Sequence, residues 1–396
     1  MRNGGTMKAA FAALALMTGV AAADEIKVGF NGDLSASPSA LSGQAGVLGI
    51  QAAIEDINAA GGLLGKKVVL VTRDDLSQPP KSIQNMSDLI DNEKVSVVFG
   101  PTNSGNALAW KNIPNTKRVP SIGLIGGATD ITRPPAGGQD NYMFRVSMVD
   151  RSQVSGLMAY AAKNPKSKLI GYMSETTGFG QGGLKDIEEI GKLHGIKPAA
   201  VERFGVADTD MTSQLNKMKA AGVDTIVVWA QGTPTGQLLR SMEKINYFPL
   251  VLSSWAADNK SFYDAAGEKL AEFPIFMRTL TDDRTPKQQK LLDRVSAKLG
   301  SASAFPFVAH GYDSMMLYAE AVKQADTVDG KPVHDALESL KTPYDGYMKL
   351  YKVPFSTTQH EGLVTADLKW AHWKGGNLAT YSDDITKGLS DPDFKM

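Results

Sequence analysis

An α/β fold, with parallel-rich sheets flanked by helices, is predicted by three observations on this chain of 396 residues. Short apolar strands alternate with amphipathic helices along most of its length, the pattern of a sheet covered on both faces. The strands end in polar or glycine-rich loops, which is where open α/β sheets bind ligands. The alternation runs as two series before the last third changes character, so two wound lobes are expected.

The first unit occupies residues 24–73. Residues 26–30 read as a strand, 31–43 as a loop rich in Ser, Gly and small residues, and 44–60 as a helix. Val47, Ile50, Ala53, Ile54 and Ile57 recur at the three-to-four spacing of one buried helix face. Gly61 and Gly62 supply the left-handed conformation favoured at a helix C-terminus, and 68–72 gives the second strand. Next come a helix at 80–91, with Ile83, Met86, Leu89 and Ile90 on its apolar face, and a buried strand at 95–99. A turn at 100–106, a short helix at 107–113 and a strand at 120–124 complete the series.

The second series follows Tyr142-Met143-Phe144-Arg145. Helices at 151–163, 182–194, 211–221 and 234–244 alternate with strands at 169–173, 201–204, 225–229 and 250–253. Its strand-end loops are 174–183, 230–235 and 254–260. In the last third, 286–299 and 307–325 read as long helices, 333–340 as a shorter one and 346–373 as short strands. No long linker or low-complexity tract sets this third apart. It is read as the chain returning to complete both lobes, each of which is then discontinuous.

The N-terminus reads as a secretory signal peptide spanning 1–23. Lys8 opens a basic segment, 9–20 is almost wholly apolar, and Ala21-Ala22-Ala23 supplies the small residues of a cleavage site. At about a dozen residues the apolar core is shorter than the ~20 a spanning helix needs. A periplasmic protein starting near Asp24, with no stable membrane insertion, is expected. The leader takes Arg2 and Lys8 from 42 basic residues set against 42 acidic ones, so the remainder is slightly acidic. Nothing in that balance attracts nucleic acid or an anionic membrane. The chain has no cysteine, which excludes disulfides and thiol chemistry and suits a chain large enough to do without staples.

Enzyme signatures are missing. The five histidines (His194, His310, His334, His360, His372) show no His-x-x-x-His spacing, and there is no G-x-S-x-G elbow. Residues 61–67 (GGLLGKK) resemble a phosphate loop, but the spacing is one short, the final residue is Lys, and a helix precedes it. Gly178-x-Gly180-x-x-Gly183 does follow a strand, yet no suitable acidic residue stands about 20 positions on, where a dinucleotide site would want one. No metal and no cofactor are expected.

Several segments together resemble the Leu/Ile/Val-binding family of periplasmic solute-binding proteins, the type I Venus-flytrap receptors. They are IKVGFNGDLS, AAIEDINAAGGLLGKKV, VVFGPTNSGN, YMFRVSMVDRSQ, TGFGQGG, GVDTIVVWAQGTPTGQLLRSM and VAHGYDSMMLYAEAV, in the family's order over nearly all of the chain. The resemblance implies two Rossmann-like lobes joined by three hinge crossovers, near 145–150, 278–283 and 363–368. Lobe 1 would comprise 24–145 and 281–362, and lobe 2 would comprise 146–280 and 363–396. It also implies a small-molecule ligand held between the lobes of a monomer, and delivery to an inner-membrane ABC permease and its ATPase.

The same resemblance proposes ligand contacts. Asn103 and Ser104 stand in the loop used for a ligand carboxylate, although both residue types also cap helices routinely. Gly126, Gly127 and Ala128 match the second carboxylate loop, with Gly127 where many relatives carry a hydroxyl, unless Thr129 serves in its place. Leu41 is the nearest counterpart of a loop aromatic, and Ser39 and Ser42 read as solvated. Phe179 stands where relatives have Tyr, and Gln231 follows the buried strand. Trp255 occupies the position of an ammonium-pairing Glu, though an aromatic there also reads as a cap on the sheet. Asp150, at the hinge, is the remaining candidate for a negative charge. Trp255 in place of an acid favours a small carboxylate with an apolar or aromatic end, such as an aromatic or keto acid. Branched-chain amino acids, amides and a sensory role stay open.

Overall fold

The computed structural model describes residue 1 and residues 25–396; the predicted leader and its cleavage site lie outside the described residues. Two sheets organise the chain. The first series runs β1 (Ile26–Gly32), α1 (Ala40–Ala59), β2 (Val68–Asp74), α2 (Pro79–Ser87), β3 (Val98–Phe99), α3 (Ser104–Trp110), α4 (Asn112–Lys117), β4 (Ser121–Gly123) and β5 (Met143–Arg145). Its strands form a five-stranded sheet in the order β2-β1-β3-β4-β5, and every pairing is parallel.

The second series runs α5 (Asp150–Lys163), β6 (Ile170–Glu175), α6 (Gly178–Leu193), β7 (Ala200–Phe204), α7 (Thr212–Ala220), β8 (Thr225–Trp229), α8 (Gly232–Lys244), β9 (Leu250–Ser253), α9 (Lys260–Ala266), α10 (Glu268–Ala271) and β10 (Ile275–Arg278). Then follow α11 (Pro286–Val295), α12 (Phe305–Ala325), α13 (Gly330–Glu338), a hairpin of β11 (Tyr344–Asp345) and β12 (Leu350–Tyr351), β13 (Lys369–Lys374), β14 (Asn377–Thr380) and α14 (Asp384–Gly388). The second sheet has the order β14-β13-β10-β9-β8-β6-β7. Its last two strands join antiparallel at the β10 edge. β8 is buried along its whole length, which is why it reads as an unbroken apolar run.

The last third contributes to both sides of the molecule. α12 packs on α1, where Gly49 is so close to the partner helix that a Cβ would lie 2.0 Å from the Val308 carbonyl oxygen. Gly311 is equally tight against the Gly46 carbonyl, at 2.2 Å. β13 and β14 extend the second sheet instead.

The chain passes between the sheets three times: after β5, after β10, and between β12 and β13. Arg145, fully buried, ties the first and third passages together. Its guanidinium meets Glu361 at 2.8 Å and donates to the carbonyls of Gly126 (2.8 Å) and Ala128 (3.1 Å). Beside the second passage, buried Arg278 faces buried Asp258 at 3.4 Å and donates to the Ser303 carbonyl at 3.1 Å.

Three local readings are corrected. α1 begins at Ala40 rather than Gln44, because Gly43 and Gly46, poor helix formers in isolation, bury bare faces against neighbouring groups. The helix read at 80–91 ends at Ser87 and continues as a π turn over Asp88–Asn92. The loop read at 254–260 contains a 3-10 turn, Trp255–Asp258, and leads straight into α9. Among the described residues no helix is long and apolar enough to cross a membrane.

Candidate ligand-binding site

A cavity of about 50 Å³ lies between the lobes, where the C-terminal ends of strands from both sheets meet the starts of α1 and α12. Asn103, Ser104, Gly126, Gly127, Phe179, Gln231 and Trp255 all line it. Leu41, Ala128 and Asp150 do not. Leu41 faces Gly300, where a Cβ would come within 3.2 Å of its side chain. Because α1 has already begun, successive residues turn by about 100°, and it is Ser39 and Ser42 that line the cavity. Ser42 is buried rather than solvated, and its hydroxyl donates across the cleft to Asn259 Oδ1 at 3.1 Å.

On the first-lobe side, the Ala128 amide donates to Ser104 Oγ at 3.1 Å. That bond uses an acceptor lone pair of the hydroxyl and leaves its proton free to be donated to a ligand. Asn103 is committed to a cap: its side chain accepts from the Asn106 amide (3.0 Å) and donates to Ser77 Oγ (2.9 Å). α3 is only seven residues long, so the Ser104 hydroxyl and the bare backbone at Gly126 and Gly127 provide the polar character of this wall.

Asp150 sits behind that wall. Its amide donates to the Gly127 carbonyl at 2.7 Å, and a Cβ on Gly127 would lie 2.1 Å from its Oδ1. Burial first, and then the charge of Asp186, push its carboxyl well above the usual carboxylate range. Asp150 is thus shifted towards the uncharged acid and does not line the cavity.

On the second-lobe side, Gln231 is oriented by Glu175, a fully buried residue at the end of β6 that pattern reading passed over. Glu175 accepts from the Gln231 amide at 2.9 Å and from its Nε2 at 3.2 Å. Gln231 Oε1 is left buried without a hydrogen-bond partner, an acceptor at the cavity wall. Burial raises the Glu175 carboxyl above its ordinary range. Trp255 donates its backbone N–H to Gln153 Oε1 at 3.0 Å, and its ring lies 5.3 Å from that of Phe307 on α12. Trp255, Phe307, Phe179 and Ile125 make an apolar wall. No Asp or Glu lines this cavity among the described residues.

Phe307 and Asn259, both lining residues, also escaped sequence reading: Phe307 reaches the cleft only through the return of α12, and Asn259 is one unmarked residue of the 254–260 loop. The one available signal was for Glu175, an acid at the end of an apolar strand. The Gly178-x-Gly180-x-x-Gly183 run has a packing explanation. A Cβ at Gly183 would lie 2.0 Å from the Trp229 ring, one at Gly180 2.0 Å from the Glu175 carbonyl, and one at Gly178 3.0 Å from Gly105 Cα on the opposite lobe.

The periplasmic binding protein family model matches residues 25–377. The chain is 25% identical over 342 residues to the Leu/Ile/Val-binding protein homolog 3 of Brucella melitensis, covering 84% of this chain and 90% of that one. It is 27% identical over 324 residues to the leucine-, isoleucine-, valine-, threonine- and alanine-binding protein of Pseudomonas aeruginosa, covering 81% and 85%. Among solved structures, a periplasmic binding protein type 1 of Bordetella pertussis superposes with a TM-score of 0.80 at 25% identity, over 90% of this chain and 100% of that one. The branched-chain amino acid transporter substrate binding protein of Streptococcus pneumoniae, in complex with isoleucine, gives 0.77 at 25% identity, over 90% and 98%. With two wound lobes, three passages and an interlobe cavity of this construction, the chain belongs to the periplasmic binding protein family, whose members bind solutes and are not enzymes.

Proposed function

We propose that this protein is the periplasmic substrate-binding component of an ABC importer and closes on a small branched aliphatic amino acid or the corresponding amide. The observation that carries the reading is a polar pair on opposite lobes of one apolar-walled cavity: the Ser104 hydroxyl, free to donate, and Gln231 Oε1, an acceptor without a partner. A ligand with a carboxyl or carbonyl at one end of its polar head and an N–H at the other satisfies both, and its aliphatic tail meets Trp255, Phe307 and Phe179. The names of the relatives support this reading.

A second reading, a keto or aromatic acid without an ammonium, is favoured by one observation: no carboxylate lines the cavity. A thermal-shift series with leucine, isoleucine, valine, leucinamide, 4-methyl-2-oxopentanoate and benzoate separates the two. Ligand at about 100 times its dissociation constant stabilises by ~2.7 kcal/mol. A shift with leucine or leucinamide but not the keto acid supports the first reading. A shift with the keto acid or benzoate alone overturns it, and no shift with any compound places the ligand outside these classes.

A further inference from the structure

We propose that His334, Glu338 and His360 form a binding site for a divalent transition-metal ion of the zinc class, on the first lobe and separate from the ligand cavity. His334 and Glu338 lie one turn apart on α13, and His360 comes from the segment between β12 and β13. The fold, and no sequence spacing, unites them. One ligand atom from each lies within 4.8 Å of the others. His360 Nε2 is 3.0 Å from Glu338 Oε1, and His334 Nε2 is 3.5 Å from the same oxygen. Bonds of about 2.0–2.2 Å to a tetrahedral ion put its ligands roughly 3.3–3.5 Å apart, close to both separations from Glu338 Oε1, and the two imidazoles would draw in from within 4.8 Å of each other.

The surroundings turn both rings with Nε2 towards Glu338. His360 Nδ1 lies 2.9 Å from the Met143 carbonyl, which can only accept, so Nδ1 carries a hydrogen. His334 Nδ1 lies 2.9 Å from Asp335 Oδ1 and donates likewise. An ion would take the place of the hydrogen that His360 Nε2 shares with Glu338 Oε1 at 3.0 Å, with each Nδ1 held by its own acceptor, the arrangement by which carboxylates and carbonyls orient metal-binding histidines. His334 is 1% exposed, and its Nε2 has no hydrogen-bond partner. Two imidazole nitrogens, one of them without a partner, and a carboxylate therefore converge.

Both rings are held in place. His360 stacks on Phe144 at 4.2 Å between centroids, and His334 packs on Tyr142 at 4.4 Å. Glu338 and His360 also line an open surface cavity of about 500 Å³, which gives an ion a route in and leaves room for a water as fourth ligand. Imidazole with one carboxylate suits zinc, nickel or copper rather than calcium or magnesium. The His360 carbonyl accepts the Arg145 amide at 2.9 Å, so a bound ion would fasten the third interlobe passage to α13.

Chelator-treated protein, purified without a polyhistidine tag, should be titrated with zinc by calorimetry and with cobalt by visible absorption. The expected result is one ion per chain, with cobalt d–d bands and a higher melting temperature in zinc. Asp335→Asn should weaken zinc by about 10–100-fold, and Glu338→Gln and His360→Gln by more. Glu338→Gln keeps hydrogen-bonding capacity towards both rings, and its metal-free melting curve and circular dichroism check the fold. Absence of saturable zinc binding in the unaltered protein overturns the proposal. So does zinc binding that survives the Glu338→Gln, His360→Gln double substitution, which would mean that the ion sits elsewhere. An ion pair made by a proton on one imidazole would give the first of these results.

Discussion

At Gly127 the carboxyl of Asp150 occupies the space where a side chain would begin, 2.1 Å from an added Cβ. Gly127→Val should therefore displace the cavity wall and cost more affinity than Ser104→Ala, which removes one hydrogen bond worth ~0.5–1.5 kcal/mol, or roughly two- to tenfold. Titration calorimetry with the ligand found by the screen measures both, and equal losses would remove Gly127 from the site. Trp255→Ala deletes the ring that meets Phe307 and should weaken binding more than tenfold (an estimate from the burial of an aromatic wall) with the fold intact by circular dichroism. An unchanged Kd would make Trp255 a packing residue. Behind Trp255, burial pushes the Asp258 carboxyl from an ordinary 3.8 up to about 7, against the charge of Arg278 and with that of Asp282. The folded state keeps a proton that the unfolded chain releases, so this stabilising contribution is whole below about 3.8 and is lost as pH rises towards about 7. Asp258→Asn should flatten that part of the melting-temperature profile relative to the unaltered protein, whereas parallel profiles would deny Asp258 the role. At this scale the sequence located the cavity loops through glycines, a serine and an aromatic. It did not reveal which side chains were committed elsewhere: Asn103 is held by a cap, and Asp150 by burial.

Helices α1 and α12 meet through glycines, and that contact fixes how the last third joins the first lobe. In Gly49→Ala the new methyl would enter the Val308 carbonyl at 2.0 Å, and overpacking of this kind costs ~1–3 kcal/mol. Urea unfolding should show a lower midpoint with the slope preserved; an unshifted midpoint would mean that the helices separate freely. Elements with strong apolar periodicity, such as β8 and α12, were legible because burial alone selects their residues. The start of α1 was not, since Gly43 and Gly46 are chosen for contacts made with groups far along the chain. Nor was the 3-10 turn at Trp255–Asp258, whose four buried residues are too few to show a period.

Across the whole molecule the lobes are closed on one another. Ser42 bonds Asn259, and Thr129 Oγ1 donates to Asp186 Oδ2 at 2.6 Å, outside the ligand cavity. A ligand favours closure by its differential affinity for the closed state, and contacts present only on closure add to its apparent affinity. Thr129→Val should raise Kd by roughly two- to tenfold while leaving the melting temperature of the ligand-free protein nearly unchanged. An unaltered Kd would show that this bond does not help to hold the lobes together. The two-lobe plan was legible from the double alternation, whereas the part of the cavity wall made by Phe307 was not, because α12 reaches the cleft from far along the chain. The Tyr312 hydroxyl on α12 reaches Asp56 on α1 at 2.6 Å across a sequence separation of 256. As the chain emerges from its N-terminus, the first sheet has to wait for almost the entire second lobe before its covering helix exists. Closing so long a loop is slow, and until then the apolar face of α1 is open to chaperones, proteases and neighbouring chains. The lobe that begins first thus waits on most of the second for its own completion.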